Sequence, residues 1–420
     1  MTAPGPRWPR AARRPRVSVI IASYRWPEAL ELSLASALEQ TFTDLEVLVV
    51  EDGPDRASKA VVRAARDPRV RWHGLPRATG SQSGPNAYGW RRARGAVVAY
   101  LGHDDIWHPD HVSRLTDALG PGIDAAHAIA LCLREGGGEQ HIAGSEPWSP
   151  GTFVPPSSLA HWRDSARLGA WQPPGASGWP VDYAFLMACH ERGARFATAG
   201  EPTAFKYPAA WRIDCYRTRD VTPQRRLRER LARDPDAGEL LLHEIRASGM
   251  PANLGAPPEA EPGAIADHNR RLKGLPGRFG APVTQWRPNQ LPLPGWHPAE
   301  HDGVGQFAWT GPASRAFVRL DPPSSRGFDV RVVVRYVVSP DQLECLSIDV
   351  DGAPISVARS LGPHGATVLT GSAPAAGADR QIVEVGLTTQ TRCPRQHDPA
   401  SPDDRVLGVA VAEIALLPTH

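Results

Sequence analysis

From Val17 onward, short apolar runs alternate with segments of helical period, the pattern of a parallel or mixed α/β sheet. Residues 17–21 predict a buried strand, and Pro27 opens a helix carrying Leu30, Leu34 and Leu38 on one face. Residues 45–50 predict a second strand ending in Glu51, Asp52 and Gly53. A helix over 56–65, a strand over 70–73, a glycine-rich loop and a helix over 86–94 follow. Residues 96–101 predict another strand that runs into Gly102, His103, Asp104 and Asp105, and Pro109 starts the next helix. The stretch 120–180 is rich in Pro, Gly and Trp and predicts loops around short elements. Helices are expected over 181–192 and over the charge-laced 222–246, and prolines recur from 250 to 294.

The period then changes. Val330, Val332, Val334, Tyr336 and Val338 alternate with polar neighbours over much of their run, as do Leu346, Ile348 and Val350 before the hairpin signal Asp351-Gly352. Val383, Val385 and Leu387, then Leu407, Val409 and Val411, repeat the two-residue spacing, which predicts an all-β sandwich of six to eight strands. The expected organisation is a disordered basic leader over 1–16, an α/β domain over 17–220, a helical and Pro-rich connector over 221–294, and a β-sandwich, jelly-roll-like, over 295–420.

Composition narrows the function classes. Lys plus Arg is 47 against 45 Asp plus Glu, and a formal charge of +2 excludes binding of nucleic acid through a bulk basic field. Gly 39 and Pro 43 are high, consistent with long loops, while 41% hydrophobic residues support packed cores. Five cysteines with no CxxC pair argue against a disulfide framework or zinc ribbon and for a reducing compartment. No apolar run is long enough for a membrane span and the N-terminus has no apolar signal core, so a cytoplasmic protein is expected. The leader's five arginines read as a solvated tail, with peripheral contact at the inner face of the membrane as the alternative.

In open α/β sheets, ligands bind beyond the carboxyl ends of the strands. That rule selects residues 22–26, 51–53 and 102–105, and neither a GxGxxG nor a GxxxxGK[ST] signature is present there. These segments, in order, resemble the family 2 glycosyltransferases of the GT-A fold. Residues 17–24, Val-Ser-Val-Ile-Ile-Ala-Ser-Tyr, are similar to the family's opening strand and loop, and residues 36–42, Ser-Ala-Leu-Glu-Gln-Thr-Phe, to its Ser-x-Leu-x-Gln-Thr helix end. Residues 48–53 resemble its Val-Asp-Asp-Gly-Ser turn, 84–89 its Arg-Asn-x-Gly region, and 99–109 the stretch around its DxD motif, with Gly102 replacing the first acid.

The resemblance implies a nucleoside diphosphate sugar donor, UDP-, GDP- or dTDP-linked, and a divalent cation, Mn2+ or Mg2+, to neutralise the departing pyrophosphate. Asp104 corresponds to the metal-binding acid, while Asp105 is balanced between a second ligand and a cap for the next segment. Asp52 resembles the acid that reads the nucleobase, and Ala22, Ser23, Tyr24 and Asn86 would line the donor site. His103, as a nitrogen donor, suits only Mn2+. An inverting transfer needs a general base. Asp182, opening the helix after Pro180, occupies that place, although Val181 replaces the family's Glu. Lys206, one of three lysines in an arginine-dominated chain, is a candidate charge for the pyrophosphate, with Arg212, six residues on, as an assisting charge. His161, Trp162 and Trp179 fall where a glycan or lipid-linked acceptor would bind, since tryptophans can stack on sugar faces.

The expected protein is therefore a metal-dependent inverting glycosyltransferase of surface polysaccharide biosynthesis. The alternative is a non-catalytic nucleotide-sugar-binding or glycan-binding protein on the same fold. The C-terminal pattern is similar to β-sandwich modules appended to bacterial polysaccharide-assembly enzymes. No nucleic-acid partner is expected.

Overall fold

The structure is a computed structural model that describes residues 14–134, 140–208, 212–249, 255–288, 291, 293–323, 327–373 and 381–419. The expected leader lies outside the described residues as far as residue 13. The chain forms two compact units: residues 1–209 with 215–259, and 260–420 with 210–214.

In the first unit the chain runs β1 (Val17–Ser23), α1 (Pro27–Leu38), β2 (Leu45–Glu51), α2 (Arg56–Ala64), β3 (Val70–Gly74), α3 (Ser83–Arg92) and β4 (Val97–Gly102). It continues through β5 (Ile106–Trp107), α4 (His111–Ala118), β6 (Ala125–Cys132), β7 (His141–Ala143) and β8 (Leu159–Trp162). The last elements are α5 (Val181–Glu191), β9 (Phe196–Lys206), α6 (Cys215–Thr218), α7 (Thr222–Arg233) and α8 (Ala237–Ala247). The nine strands make one mixed sheet in the order β3-β2-β1-β4-β8-β6-β9-β5, with β7 paired to β6. β1 is parallel to β2 and β4, and its register pairs Ser23 with Glu51 and Ala22 with Gly102. Three strands therefore end side by side, each followed by one of the loops selected from the sequence.

Strands β1, β2 and β6 are buried along their whole length, so their sequences are mostly apolar on both faces, interrupted by Ser18, Glu46 and His127, rather than regular alternations. Pro27 starts α1, and Asp55 caps α2 by accepting the Ser58 N–H at 2.8 Å. Helices α7 and α8 close over the far part of the sheet. Leu227, Leu231, Leu241, Leu242 and Ile245 pack against Ile106, Ile129, Leu131, Phe205 and Tyr207. Each such side chain contributes roughly 1.5–3 kcal/mol when buried. That packing makes the two helices part of the first unit, and the expected connector over 221–294 is divided between the two units instead of standing apart.

The second unit is a β-sandwich around one apolar cluster shared by two antiparallel sheets. One sheet has Gln306–Trp309, Val409–Pro418, Phe328–Val337 and Thr367–Ala373 side by side, with short strands added at its margins; the other has Arg315–Leu320, Val383–Thr388, Ser347–Val350 and Ala353–Ile355. This exchange of successive strands between sheets is the jelly-roll connectivity. Arg319, nearly buried, bonds Asp214 at 2.7 Å and Glu384 at 2.9 Å on this unit. Among the described residues, no helix is long and apolar enough to cross a membrane, and the five cysteines are free thiols.

Candidate active site

The ends of β1, β2 and β4 bring Ala22, Ser23, Glu51, Asp52 and Gly102 to one edge of the sheet. Glu51 is fully buried, with Oε1 accepting the Arg25 N–H at 2.6 Å. Burial pushes its carboxyl up, against the Arg25 N–H, the Ser23 hydroxyl and the nearby His103. Tyr24, half-exposed, meets Tyr216 edge-on with centroids 5.6 Å apart, and Asn86 is buried on α3.

Asp52 is committed to a loop. Its Oδ1 accepts the Thr79 N–H at 2.6 Å and the Thr79 hydroxyl at 2.8 Å, and its Oδ2 accepts the Gly80 N–H at 2.7 Å. His103 ties the end of β4 to β1: Nδ1 lies 3.1 Å from the Ala22 carbonyl, the ring packs against Trp26 and Tyr216, and the buried Nε2 makes no hydrogen bond.

Beyond Gly102 the two carboxylates differ. Asp105 is fully buried, with Oδ2 accepting the Ser157 hydroxyl at 2.5 Å and lying 3.2 Å from Lys206 Nζ, while Oδ1 accepts the Tyr207 N–H at 3.0 Å. Asp104 is 9% exposed, and its carbonyl accepts from Gln224 Nε2 at 3.1 Å. Lys206 stands at the end of β9. Burial opposes its charge, yet Asp105 and Asp104 together hold the ammonium above its ordinary range. A Cβ on Gly102 would lie 2.8 Å from Asp105 Oδ2 and 3.4 Å from Asp104 Oδ1. The acid missing from the DxD position thus has no room here.

Asp182 sits half-buried in the first turn of α5. Its Oδ1 accepts the Tyr183 N–H at 3.0 Å and its Oδ2 lies 3.4 Å from Gln82 Nε2. Burial pushes its carboxyl up, against the pull of Lys206, the Tyr183 N–H and Gln82. Lys206 therefore acts electrostatically on Asp104, Asp105 and Asp182 together. The fit to a divalent cation rests on Asp104: Mg2+ and Mn2+ sites of this kind use one or two carboxylates and complete their shell with phosphate oxygens and water. Among the described residues no group of three His, Cys, Asp or Glu side chains is gathered as a cage.

Two expected acceptor residues are displaced. His161 and Trp162 lie on β8, which runs antiparallel to β4 and pairs them with Val98 and Val97, at the opposite end of β4 from Gly102. Five residue steps of strand put about 17 Å between those ends. His161 is fully buried, with Nε2 2.8 Å from the Tyr100 hydroxyl and its ring against Trp90, and burial pushes its imidazole down to about 4. It is a core residue. Trp179 remains near Asp182, packed on Tyr183 with centroids 5.0 Å apart. Arg212 lies in the short segment 210–214 that groups with the second unit. The sequence reading missed Ser157, Thr79 and Gln82. They are single polar residues in loops, and only the local turn at Pro155–Ser158 and the Thr-Gly-Ser-Gln run hinted at ordered backbone there.

Residues 18–143, which lie in the first unit with its mixed sheet, match the model of Glycosyl transferase family 2. The succinoglycan biosynthesis protein ExoO of Rhizobium meliloti is 36% identical over 118 residues, 27% of this chain and 34% of that protein. An uncharacterized glycosyltransferase, EpsJ, of Bacillus subtilis is 34% identical over 105 residues, 24% of this chain and 30% of that protein. The chain thus spans about a third of the length of these relatives. Among solved structures, S. aureus TarS 1–349 matches with a TM-score of 0.39 at 17% identity, over 49% of this chain and 64% of that one. The mannosyltransferase PcManGT from Pyrobaculum calidifontis, in complex with GDP-Man and Mn2+, matches with a TM-score of 0.39 at 22% identity, over 48% and 61%.

Proposed function

We propose that the protein is an inverting glycosyltransferase that moves a sugar from a nucleoside diphosphate donor to a glycan or lipid-linked acceptor in surface polysaccharide assembly. The observation that carries the reading is the grouping of Asp104, Lys206 and Asp182 at the carboxyl edge of a family 2 domain, with one ammonium acting on both acids and on Asp105. Asp182 takes the proton of the acceptor hydroxyl as its oxygen attacks the anomeric carbon. The bond from that carbon to the phosphate oxygen breaks, and the nucleoside diphosphate leaves with the electron pair. A carboxylate whose proton affinity burial has raised is a better base for this step than an exposed one.

Asp104 would hold a divalent cation, Mn2+ or Mg2+, which when bound supplies charge neutralisation for the departing phosphates. Lys206 adds a fixed positive charge, with its head oriented by Asp105. Ser23, Tyr24, Asn86 and the Ala22 backbone line the nucleoside side. The named role of ExoO in succinoglycan biosynthesis supports a polysaccharide product, and a cytoplasmic location with peripheral contact at the membrane fits such an acceptor. A second reading, a nucleotide-sugar-binding protein without turnover, is favoured by Gly102 alone. A thermal-shift screen of UDP, GDP and dTDP with and without Mn2+ tests the reading. Metal-dependent stabilisation by at least one nucleotide, lost in Asp104→Ala, is expected; absence of any nucleotide effect overturns it.

A further inference from the structure

The loop over 78–84 joins two parts of the site that are far apart in sequence. At one end Asp52 accepts three hydrogen bonds from Thr79 and Gly80, at 2.6, 2.8 and 2.7 Å. A carboxylate offers about four acceptor sites, so Oδ1 is filled and only one site on Oδ2 is left. Thr79 is further tied by its hydroxyl to the Ser81 carbonyl at 3.0 Å. Gly84 packs so closely on it that a Cβ there would come within 2.4 Å of Thr79 Oγ1. At the other end Gln82 stands at the residue before α3 and directs Nε2 at Asp182 Oδ2, 3.4 Å away, across 100 residues of sequence.

We propose that Asp52 and Gln82 are positioning residues for Asp182: Asp52 pins the loop, and the loop delivers the Gln82 carboxamide that, with the Tyr183 N–H, fixes the plane of the Asp182 carboxylate. The proposal rests on the reading of Asp182 as the general base. With one donor on each oxygen, at 3.0 Å on Oδ1 and 3.4 Å on Oδ2, the carboxylate cannot swing, and each oxygen keeps a lone pair for the incoming proton. The charged group facing Asp182 from the neighbouring strand is Lys206 on β9; from α3 it is faced by neutral Gln82, and from its own helix by the N-terminal N–H groups.

The test uses the full chain and three readouts: amide hydrogen exchange over 78–84 and 181–186, affinity for UDP and GDP with Mn2+ by calorimetry, and release of UDP or GDP from UDP-glucose, UDP-N-acetylglucosamine and GDP-mannose. In Asp52→Asn, exchange should rise about tenfold over both segments. Thr79→Val, which deletes one donor of the three, should show the same direction if the first variant folds poorly. Gln82→Ala should lower turnover about tenfold at unchanged donor KM, and Gln82→Glu should move the acid limb of the pH profile upward, because a second carboxylate raises the proton affinity of Asp182. The proposal is overturned if Asp52→Asn weakens nucleotide binding more than about tenfold with unchanged exchange at 181–186, or if Gln82→Ala leaves both that exchange and turnover as in the wild type. If the wild type releases nucleotide from no donor, the catalytic reading fails, and the exchange measurement still decides the inference.

Discussion

Filling the space at Gly102 perturbs the site where it is least able to yield. In Gly102→Ala the new methyl carbon would lie 2.8 Å from Asp105 Oδ2, closer than real contacts of this kind. Asp105 cannot retreat easily, because Ser157 at 2.5 Å, Lys206 at 3.2 Å and the Tyr207 N–H at 3.0 Å hold it. Overpacking of this kind costs about 1–3 kcal/mol. For a unit of this size each kcal/mol lowers Tm by roughly 2–4 °C, so the melting transition of the first unit should fall by several degrees. Gly102→Asp, which restores the family's acid, should be worse, since it crowds a third carboxylate against Asp104 and Asp105. Scanning calorimetry of the whole chain, with donor turnover measured in parallel, checks both. Gly102→Ala melting with the wild type, or Gly102→Asp raising turnover, would refute the reasoning.

Other consequences are as direct. His161→Ala should lower stability by about 2–3 kcal/mol, from the lost ring packing and the unpaired Tyr100 hydroxyl, while leaving acceptor KM unchanged, as a denaturant titration and saturation kinetics would show. Acid should destabilise the first unit early. Burial depresses His111, His127 and His161 to about 3, 4 and 4, so their neutral forms stabilise the fold fully above the unfolded value near 6.5. That stabilisation is lost as the pH falls from there toward the folded values, at up to roughly 1.4 kcal/mol per pH unit for each histidine. Melting curves from pH 7.5 to 4.5 should steepen below 6.5, and a flat profile would contradict the burial. Arg319→Ala removes the guanidinium that Asp214 and Glu384 share and leaves Glu384 to Arg315, which should cost the second unit about 1.5–3 kcal/mol, read from its own unfolding transition.

Much of this architecture is legible in the pattern of residues. Strands β1, β2 and β4 are strong apolar runs, each ending in polar residues, and the topology rule then locates the site at their ends. The alternation after Val330 likewise points to the jelly roll. Strand β6, Ala-Ala-His-Ala-Ile-Ala-Leu-Cys, is not legible. It is buried on both faces among neighbouring strands, so small residues replace both alternation and β-branched bulk. β9 is masked by Gly200 and Pro202, where its pairing with β6 shifts register. Asp104, Lys206 and Asp182 stand out by their positions at strand and helix ends. The acceptor assignment of His161 and Trp162 fails because only three-dimensional pairing shows that β8 runs antiparallel and carries them to the far end of the sheet. Nothing in the sequence could show that Asp52 spends its carboxylate on Thr79 and Gly80, or that Gln82 reaches Asp182. Both depend on contacts between loops remote in sequence.

The proposed action of Asp182 and Asp104 on a nucleoside diphosphate sugar is tested most directly by metal-dependent release of nucleoside diphosphate from a panel of UDP-, GDP- and dTDP-sugars, in the presence of candidate glycan acceptors, by the wild type and Asp182→Asn. Release by the wild type should depend on Mn2+ or Mg2+ and should fall at least about 100-fold in Asp182→Asn, with nucleotide binding retained. Turnover by Asp182→Asn near the wild-type rate would contradict the proposed action.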